Sequence, residues 1–423
     1  MMIYREIPTK FCRDLCTVIY NVLAENKDVS FMPSEYQSAA VNTRIQSQEV
    51  KLRYQSLPAY PDGFDVVLRV LPLSDEDEGT PDLSLLGYSP SQVQDMMKIV
   101  AKPVGALIIA GTTGSGKSTT LKNLLMLVNE SRGYRCKIYT IEDPPEYRIP
   151  RVSQIPVVRR RNEDYSKKSP FEDPLVATMR GDPDILMIGE IRDMFTGDGM
   201  KKATQSGHQV LTTLHASSAL GCTERLADFG ITPSVMGSPE FINGLVYQKL
   251  LPLICPACSI SFSERINSSS ATASEIALAD RLRRVVAMDE HDVRIRNPKG
   301  CEKCKGLGVV GRTVCAEVIA PDFTMLRHFR QSASIEAKIY WRSLSDRDPK
   351  SDNMTGNPAI EHALLKMRRG LVSPYDIEDQ LGPVDSAEKE LEEMARDSAM
   401  EESEKGAAGK SKGRSFGEWD VGL

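Results

Sequence analysis

Ala106 to Ser118 read ALIIAGTTGSGKS, and TTLKNLLMLV follows directly. The first five residues are apolar and predict a buried strand, while the segment after Ser118 predicts a helix. Between them lies GxxxxGKS, the phosphate-binding loop, in the strand–loop–helix context that this motif requires. Its glycines let backbone N–H groups converge on phosphate oxygens, and the start of the helix adds partial positive charge. The stretch therefore predicts a nucleotide site in an α/β fold.

Two side chains of this loop have specific expected roles. Lys117 is expected to reach the β- and γ-phosphates of ATP, and the Ser118 hydroxyl is expected to ligate Mg²⁺. The loop alone does not separate a motor, a kinase, a GTPase and a helicase. The nucleotide contacts are expected from Gly111, Thr112, Thr113, Gly114, Ser115, Gly116, Lys117, Ser118 and Thr119.

Acidic residues follow two further predicted strands. Glu142 and Glu146 come after the run 137–141, at the edge where α/β sheets bind ligands. Glu190 follows the apolar run 185–188 in a Walker B pattern whose usual aspartate is replaced by Gly189. We therefore expect Glu190 to hold Mg²⁺ through water or to orient the attacking water. The alternatives are an exposed acidic turn for the first pair and a helix cap for Glu190.

A fourth predicted strand, in residues 207–215, has a histidine near each end, His208 and His215. Two histidines that flank a buried strand of this core suggest a γ-phosphate sensing role. The alternative is a pair of packed or surface histidines.

Composition narrows the class of partner. The chain has 423 residues, with 53 basic against 58 acidic side chains and only 6% aromatic residues. This balance argues against a dedicated nucleic-acid binder, so no nucleic-acid partner is expected. No apolar run approaches a membrane span and the N-terminus does not read as a signal peptide, so any membrane association is expected to be indirect.

Four of the nine cysteines form two CxxC pairs, Cys255 with Cys258 and Cys301 with Cys304. Paired CxxC motifs supply four thiolates at tetrahedral reach, which is the pattern of a structural Zn²⁺ site. The long intervening segment contains ASEIALADRLRRVVAM, which predicts a helical insertion. A redox dithiol needs only one CxxC.

Taken in order, GTTGSGKS, TIEDPPEY, RGDPDILMIGEIRD and GHQVLTTLHASSA resemble the secretion-ATPase superfamily, the motors of type II secretion, type IV pilus assembly and conjugation. Upstream, LRYQSLPAYPDGFDVVLRVLP resembles the PAS-like N-terminal domain of that family. Downstream, the cysteine segment resembles its zinc-bearing arm. The resemblance covers about residues 48–320, and it implies an α/β fold with a RecA-like P-loop ATPase core.

The resemblance implies the following organisation. The expected segments are a truncated N-terminal PAS-like region in 1–72, a linker and entry helix in 73–102, the RecA-like core in 103–250, the zinc arm in 251–320, a helical C-terminal region in 321–382 and a disordered tail in 383–423. The additional platform-docking domain of the assembly members is expected to be absent or replaced, which leaves the docking mode open.

The resemblance also implies roles for single residues. Glu142 and Glu146 match the acids of the Asp box, and His208 and His215 match the His box. Catalytic roles fall on Glu146, Glu190, Lys117, Arg53, Arg69 and His215, with both arginines offered to the nucleotide by the N-terminal domain. Two positions depart from the family pattern, since Val176 and Lys249 stand where arginines are common.

The function implied is that of a homo-hexameric, cytoplasmic ATPase, peripheral at the inner membrane. It would drive a type IV pilus or a type II secretion pseudopilus through an inner-membrane platform protein, with ATP, Mg²⁺ and structural Zn²⁺. A conjugative or type IV secretion motor, a RecA-class nucleic-acid motor and a non-hydrolysing nucleotide-bound scaffold are the alternatives. The sequence does not separate the secretion systems, the direction of filament movement or the role of the acidic tail.

Overall fold

The structure is a computed structural model that describes residues 5–25, 30–45, 48–72, 80–157, 169–288, 292–348 and 351–396. Contacts divide the chain into two units, Met1–Leu83, Val100–Ala106 and Lys117–Thr213 in the first and Ser84–Ile99, Leu107–Gly116 and Leu214–Leu423 in the second. Within the described residues, no helix is both long and apolar enough to cross a lipid bilayer.

The elements from the N-terminus to the middle of the chain begin with a helix and an antiparallel sheet. They are α1 Thr9–Val18, a π-helical turn Ile19–Leu23, β1 Ala24–Glu25, β2 Gln37–Ile45, β3 Gln48–Ala59, β4 Gly63–Pro72, α2 Leu83–Leu86, α3 Pro90–Ala101, β5 Gly105–Ala110, α4 Lys117–Ser131, β6 Ile138–Glu142, β7 Ser153–Pro156, α5 Glu172–Met179, β8 Ile185–Ile191, α6 Met194–Gln205 and β9 Gln209–Leu214.

The remaining elements belong to the second unit. They are α7 Gly221–Asp228, α8 Pro233–Met236, β10 Ile242–Ile254, β11 Ile260–Ser261, α9 Phe262–Ile266, α10 Ala273–Val286, β12 Arg294–Ile295, β13 Val309–Ile319, α11 Phe323–Arg330, α12 Ser334–Ser343, α13 Ala359–Arg368 and α14 Pro374–Leu381.

The N-terminal sheet is antiparallel and has the order β1-β2-β3-β4. Strands β3 and β4 form an antiparallel hairpin. Alternate residues of β3, such as Leu52 and Tyr54, are buried in a small core. Tyr20 of the π-helical turn packs on Tyr54, with ring centroids 5.2 Å apart. The PAS-like assignment of this domain stays a prediction.

The main sheet has seven strands in the order β13-β10-β5-β9-β8-β6-β7. All residues of β5 and of β9 are buried, and β6 runs parallel to both β7 and β8. Parallel strands need crossover connections and are covered on both faces, which explains their continuous apolar runs. The predicted α/β class is confirmed.

The second unit contains one hydrophobic core that extends through both the predicted zinc arm and the predicted C-terminal region. It includes Leu251, Phe262 and Leu282 from the former, and Ile360 and Val384 from the latter or beyond it. The predicted zinc arm and the predicted C-terminal region therefore share one core. At the other end of the zinc arm, strand β10 runs without interruption across the predicted boundary with the ATPase core at residue 250.

The predicted disordered tail differs from the structure over its first part. Residues 386–396 form a helix, and Val384 and Asp385 just before it are buried. The reason is specific packing: Val384 enters the core, and the Asp385 carboxylate pairs with Lys389 at 2.9 Å. Residues 397–423 lie outside the described part of the chain.

Candidate functional site

The phosphate loop connects β5 to α4, as the sequence predicts. Gly111, Gly114 and Gly116 have φ values of 152°, 79° and 85°, a region that favours glycine. A Cβ on Gly111 would lie 2.5 Å from the Gln248 carbonyl oxygen, so only glycine fits there. Helix α4, 15 residues long, starts at Lys117 and turns its N-terminus toward the end of the loop. This backbone fits a polyphosphate.

Lys117 lies in the field of two predicted catalytic acids. Burial lowers the pKa of its ammonium, while the carboxylates of Glu190 and Glu146 act in the opposite direction. The structure therefore brings Lys117, Glu146 and Glu190 together within the first unit. Ser118 is half-buried in the first turn of α4, and the Thr119 hydroxyl lies 3.2 Å from that of Tyr147.

Glu142 is held at the C-terminal end of β6. Its Oε1 accepts hydrogen bonds from the Thr140 hydroxyl at 2.6 Å and from Gln154 Nε2 at 3.1 Å. Gln154 also donates to the Tyr147 carbonyl and accepts from the Ile149 N–H, both at 2.8 Å. Glu142 is thus fixed among neutral partners and helps to order the loop that carries Glu146.

Glu190 lies inside β8, whereas the sequence placed it after the strand. The residue before it, Gly189, stands where a Walker B strand usually has an aspartate, and there is little room there for a side chain. A Cβ at Gly189 would lie 3.1 Å from the Ile141 carbonyl oxygen and 3.5 Å from Glu142 Cα. The Gly189 carbonyl also accepts a 2.6 Å hydrogen bond from the Thr213 hydroxyl. Close packing of the strands therefore disfavours a carboxylate at position 189, and Glu190 is the acidic residue at this end of β8.

Arg53 and Arg69 lie directly opposite each other on β3 and β4, and both are exposed. Like charges in this position repel, so an anion between or beside them would stabilise the pair. Arg69 Nη2 is 3.8 Å from Glu146 Oε1, and the Lys51 ammonium donates to the Pro145 carbonyl at 3.4 Å. The N-terminal sheet thus contacts the acidic loop.

The two histidines are separated by the length of β9. The His208 carbonyl accepts from the Gly105 N–H at 3.4 Å, so His208 lies beside the beginning of β5. The phosphate loop leaves the other end of that six-residue strand, roughly 20 Å away at about 3.3 Å per residue. The His208 Nδ1 bonds with the Ala203 carbonyl at 3.0 Å, and the nucleotide contact expected for His208 stays a prediction. His215 follows the opposite end of β9 and is exposed.

The four predicted zinc ligands come together. Their Sγ atoms all lie within 4.8 Å of one another, with Cys255–Cys301 and Cys258–Cys304 at 3.9 Å and Cys301–Cys304 at 3.7 Å. A tetrahedral zinc with Zn–S bonds of about 2.3 Å spaces its sulfurs by about 3.8 Å. Pairing of β11 with β12 bridges the insertion and brings the two CxxC motifs together.

The backbone around Cys304 favours a thiolate. Burial alone would raise its pKa, but N–H donors of Cys301 and Gly308, each 3.1 Å from Sγ, and the neighbouring thiols lower it to about 6. N–H···S bonds of this kind are what a metal-bound thiolate accepts, so the donor set fits zinc.

Sequence reasoning missed several residues around the loop. Gln248 Nε2 donates to the Ser115 carbonyl at 2.7 Å, and its Oε1 accepts from the Tyr88 hydroxyl at 2.5 Å. Thr140 and Gln154 were missed in the same way at Glu142. The only signal for Gln248 was a polar residue in a mostly apolar strand that also contains Asn243 and Lys249, and its contacts join distant parts of the sequence.

Comparisons with known proteins agree with this geometry. A family model described as Type II/IV secretion system protein matches residues 31–367. Type II secretion system protein E of Pseudomonas aeruginosa is 33% identical over 286 residues, 68% of this chain and 51% of the relative. Type II secretion system ATPase E of Vibrio cholerae is 30% identical over 341 residues, 81% of this chain and 60% of the relative. The chain spans about half the length of the curated relatives it matches.

Solved structures share the fold. The Legionella pneumophila ATPase DotB superposes with a TM-score of 0.58 at 20% identity, over 89% of this chain and 85% of its own. The pilus retraction motor PilT with bound ADP gives 0.52 at 20% identity, over 81% and 77%. The family model, which spans most of the chain, settles the relationship that the ordered motifs predicted. On this evidence the chain is a member of the type II/IV secretion system protein family.

Proposed function

We propose that the chain is a hexameric ATPase that hydrolyses ATP to assemble a type IV pilus or a type II secretion pseudopilus through an inner-membrane platform protein. It would work on the cytoplasmic side and be held at the membrane by that partner. The observation that carries the proposal is Lys117, at the start of α4 and in the field of both Glu146 and Glu190. The names of the relatives, an ATPase of type II secretion and a pilus motor, support it.

In this proposal the loop and α4 bind the phosphates. Amides of the loop and the N-terminus of α4 donate to phosphate oxygens, and the Lys117 ammonium neutralises their charge. Ser118 and Glu190 are the residues that would hold Mg²⁺, which when bound supplies further charge neutralisation. The cation would also compensate for the negative charge of the two carboxylates near Lys117.

The acids prepare the attack. Glu190, at the end of a rigid central strand, accepts a hydrogen bond from the attacking water and orients it toward the γ-phosphoryl group. Glu146, on the loop ordered by Gln154, contacts Arg69 and so links the site to the N-terminal sheet. Arg53 and Arg69 stabilise charge that develops on the transferred group. His215, at the end of β9, is proposed to respond to the γ-phosphate, and Glu142 to fix the loop.

Zinc has a structural role in the proposal. Cys255, Cys258, Cys301 and Cys304 bring four thiol sulfurs within 4.8 Å of one another. Four thiolates would fill the four ligand positions of a tetrahedral zinc, which is typical of a structural site. The division into the five predicted segments up to residue 382 also remains part of the proposal.

The proposal is tested by ATP turnover and by the mass of the assembly in solution. We expect the purified chain with Mg²⁺ to release phosphate from ATP and to form six-membered rings when nucleotide is present. Phosphate release is followed by a coupled assay, and the ring by light scattering. A chain that neither hydrolyses ATP nor assembles, even with its envelope partners added, would rule the proposal out.

The arginine pair gives a more specific prediction. Arg53→Gln is expected to lower ATP turnover about tenfold or more, because a charge offered to the γ-phosphoryl group is lost. The melting temperature should stay the same or rise slightly, because the substitution also removes a repulsive cross-strand pair worth about 0.2–1 kcal/mol.

Turnover and thermal unfolding are measured together on Arg53→Gln and on a control. Arg44→Gln is a suitable control, because Arg44 is an exposed arginine of the same sheet, on β2. Unchanged turnover in Arg53→Gln would remove this arginine from the mechanism.

A further inference from the structure

Gln248 is a polar residue in a strand that is mostly apolar. It lies in the middle of β10, next to β5 in the sheet, and its side chain is fully buried. A buried amide must satisfy its donors and acceptors within the protein, because leaving one unmade costs free energy. The partners of Gln248 therefore indicate why it is there.

The amide is held in one orientation. Nε2 faces the Ser115 carbonyl oxygen at 2.7 Å, and because a carbonyl only accepts, the nitrogen must be on that side. Oε1 then faces Tyr88, whose hydroxyl donates to it at 2.5 Å. Tyr88 is itself buried, with 3% of its surface exposed. The phenol thus fixes the amide, and the amide fixes the loop.

Gln248 contacts the phosphate loop near both of its ends. Its backbone carbonyl lies 2.5 Å from the position of a Cβ on Gly111, and its Nε2 lies 3.3 Å from the position of a Cβ on Gly116. The hydrogen bond to Ser115 lies between these two points. Among the described residues, one hydrogen bond of its side chain therefore goes to Tyr88 and the other to the loop.

The backbone next to Tyr88 is held by hydrogen bonds from a buried lysine. The residue before it, Gly87, offers its carbonyl to the Lys366 ammonium of α13 at 2.6 Å, and the same ammonium donates to the Thr313 hydroxyl at 2.7 Å. Lys366 is nearly buried, so these bonds are not readily exchanged for water. These bonds thus hold the segment that carries Tyr88 in place within the second unit.

We infer that Gln248 is a positioning residue for nucleotide binding, which sets the phosphate-binding conformation of residues 111–116 while Tyr88 holds its amide in register. Gln248 touches no phosphate in this arrangement and acts only through the loop backbone. The inference rests on the proposed function, since it assumes that the loop binds ATP.

The test compares two buried strand glutamines. Gln248→Met keeps the length of the side chain and removes both hydrogen bonds. Gln209→Met is the matched control, because Gln209 is 2% exposed and also makes two bonds, with Val100 and Arg132, at the opposite end of the sheet. For each variant we would measure the dissociation constants of Mg·ATP and Mg·ADP, the KM and kcat for ATP, and the melting temperature without nucleotide.

We expect Gln248→Met to weaken binding of both nucleotides and to raise the KM for ATP by about tenfold, the change that corresponds to one lost buried hydrogen bond. Gln209→Met should lower the melting temperature to a similar degree and leave nucleotide affinity within about twofold. Equal nucleotide affinity in the two variants would overturn the inference.

Two further variants keep the test decisive if Gln248→Met does not fold. Tyr88→Phe removes only the hydroxyl that orients the amide, and Gln248→Glu keeps an acceptor for Tyr88 but places a carboxylate against the Ser115 carbonyl. We expect a smaller loss of affinity from Tyr88→Phe than from Gln248→Glu, and wild-type affinity in both would overturn the inference. A wild-type chain that binds ATP without hydrolysing it would overturn the proposed function only, and the affinity comparison would still decide on Gln248.

Discussion

Glu190→Gln is expected to abolish ATP turnover while ATP binding is retained. The substitution keeps the size of the side chain and its place in β8, between strands that are already packed, so the fold should be unaffected. It replaces the carboxylate proposed to orient the attacking water and to hold Mg²⁺ with a neutral amide, which cannot take up a proton and is a weaker ligand. Loss of a positioned general base costs about 10²–10⁴ in rate, so kcat should fall at least about a hundredfold.

ATP affinity should change little or increase, because the amide removes a negative charge close to where the triphosphate binds. Turnover is measured by phosphate release, and affinity by titration with a fluorescent ATP analogue. Glu224→Gln is the control, since Glu224 is an exposed glutamate in the first turn of α7. Turnover within a few-fold of wild type in Glu190→Gln would transfer the role of orienting water to another acid, with Glu146 as the first candidate.

Removal of zinc is expected to unfold the segment around the four cysteines and to destabilise the second unit. Zinc bound to four thiolates contributes an apparent 10–16 kcal/mol to folding in small domains, on the order of the whole stability of a typical protein. Without the cation, sulfurs spaced by 3.7–3.9 Å would be protonated or would repel one another. The loss should spread beyond the arm, because Phe262 and Ile360 belong to the same core.

The measurement combines metal analysis with thermal unfolding. We expect one zinc per chain as purified, and a large drop in melting temperature after treatment with a strong chelator or in Cys301→Ser. Cys136→Ser is the control, because Cys136 is a half-buried cysteine outside the cluster, and it should keep one zinc per chain. A protein that contains no zinc and melts at the same temperature with and without chelator would refute a structural metal.

The parts of the site that lie close together in the sequence could be predicted from it. The phosphate loop is one continuous segment, and its glycines and Lys117 have roles that depend on local backbone geometry. The CxxC pairs are also local, and only the β11–β12 pairing that joins them was missing. The strand before each acid was recognisable from its apolar run, although Glu190 proved to lie within β8.

What depends on strand direction or on contacts between distant segments could not be predicted. His208 and His215 look equivalent in the sequence, but the length of β9 places them at opposite ends of the sheet. The support of the loop by Gln248 and Tyr88 joins residues that are 160 positions apart. The helix in 386–396 follows Val384, which is buried. The acidic composition of this segment predicted disorder, because composition does not show that one valine packs into the core.

The core shared by residues of the predicted zinc arm and of the C-terminal region has a mechanical consequence. Phe262 on one side, and Ile360 and Val384 on the other, fill the same interior, so neither part can tilt against its neighbour without opening that interior to water. A force on the segment with the four cysteines would be transmitted through this core to the C-terminal helices. We therefore expect this segment and the C-terminal helices to move as one rigid body, and any hinge to lie outside their shared core.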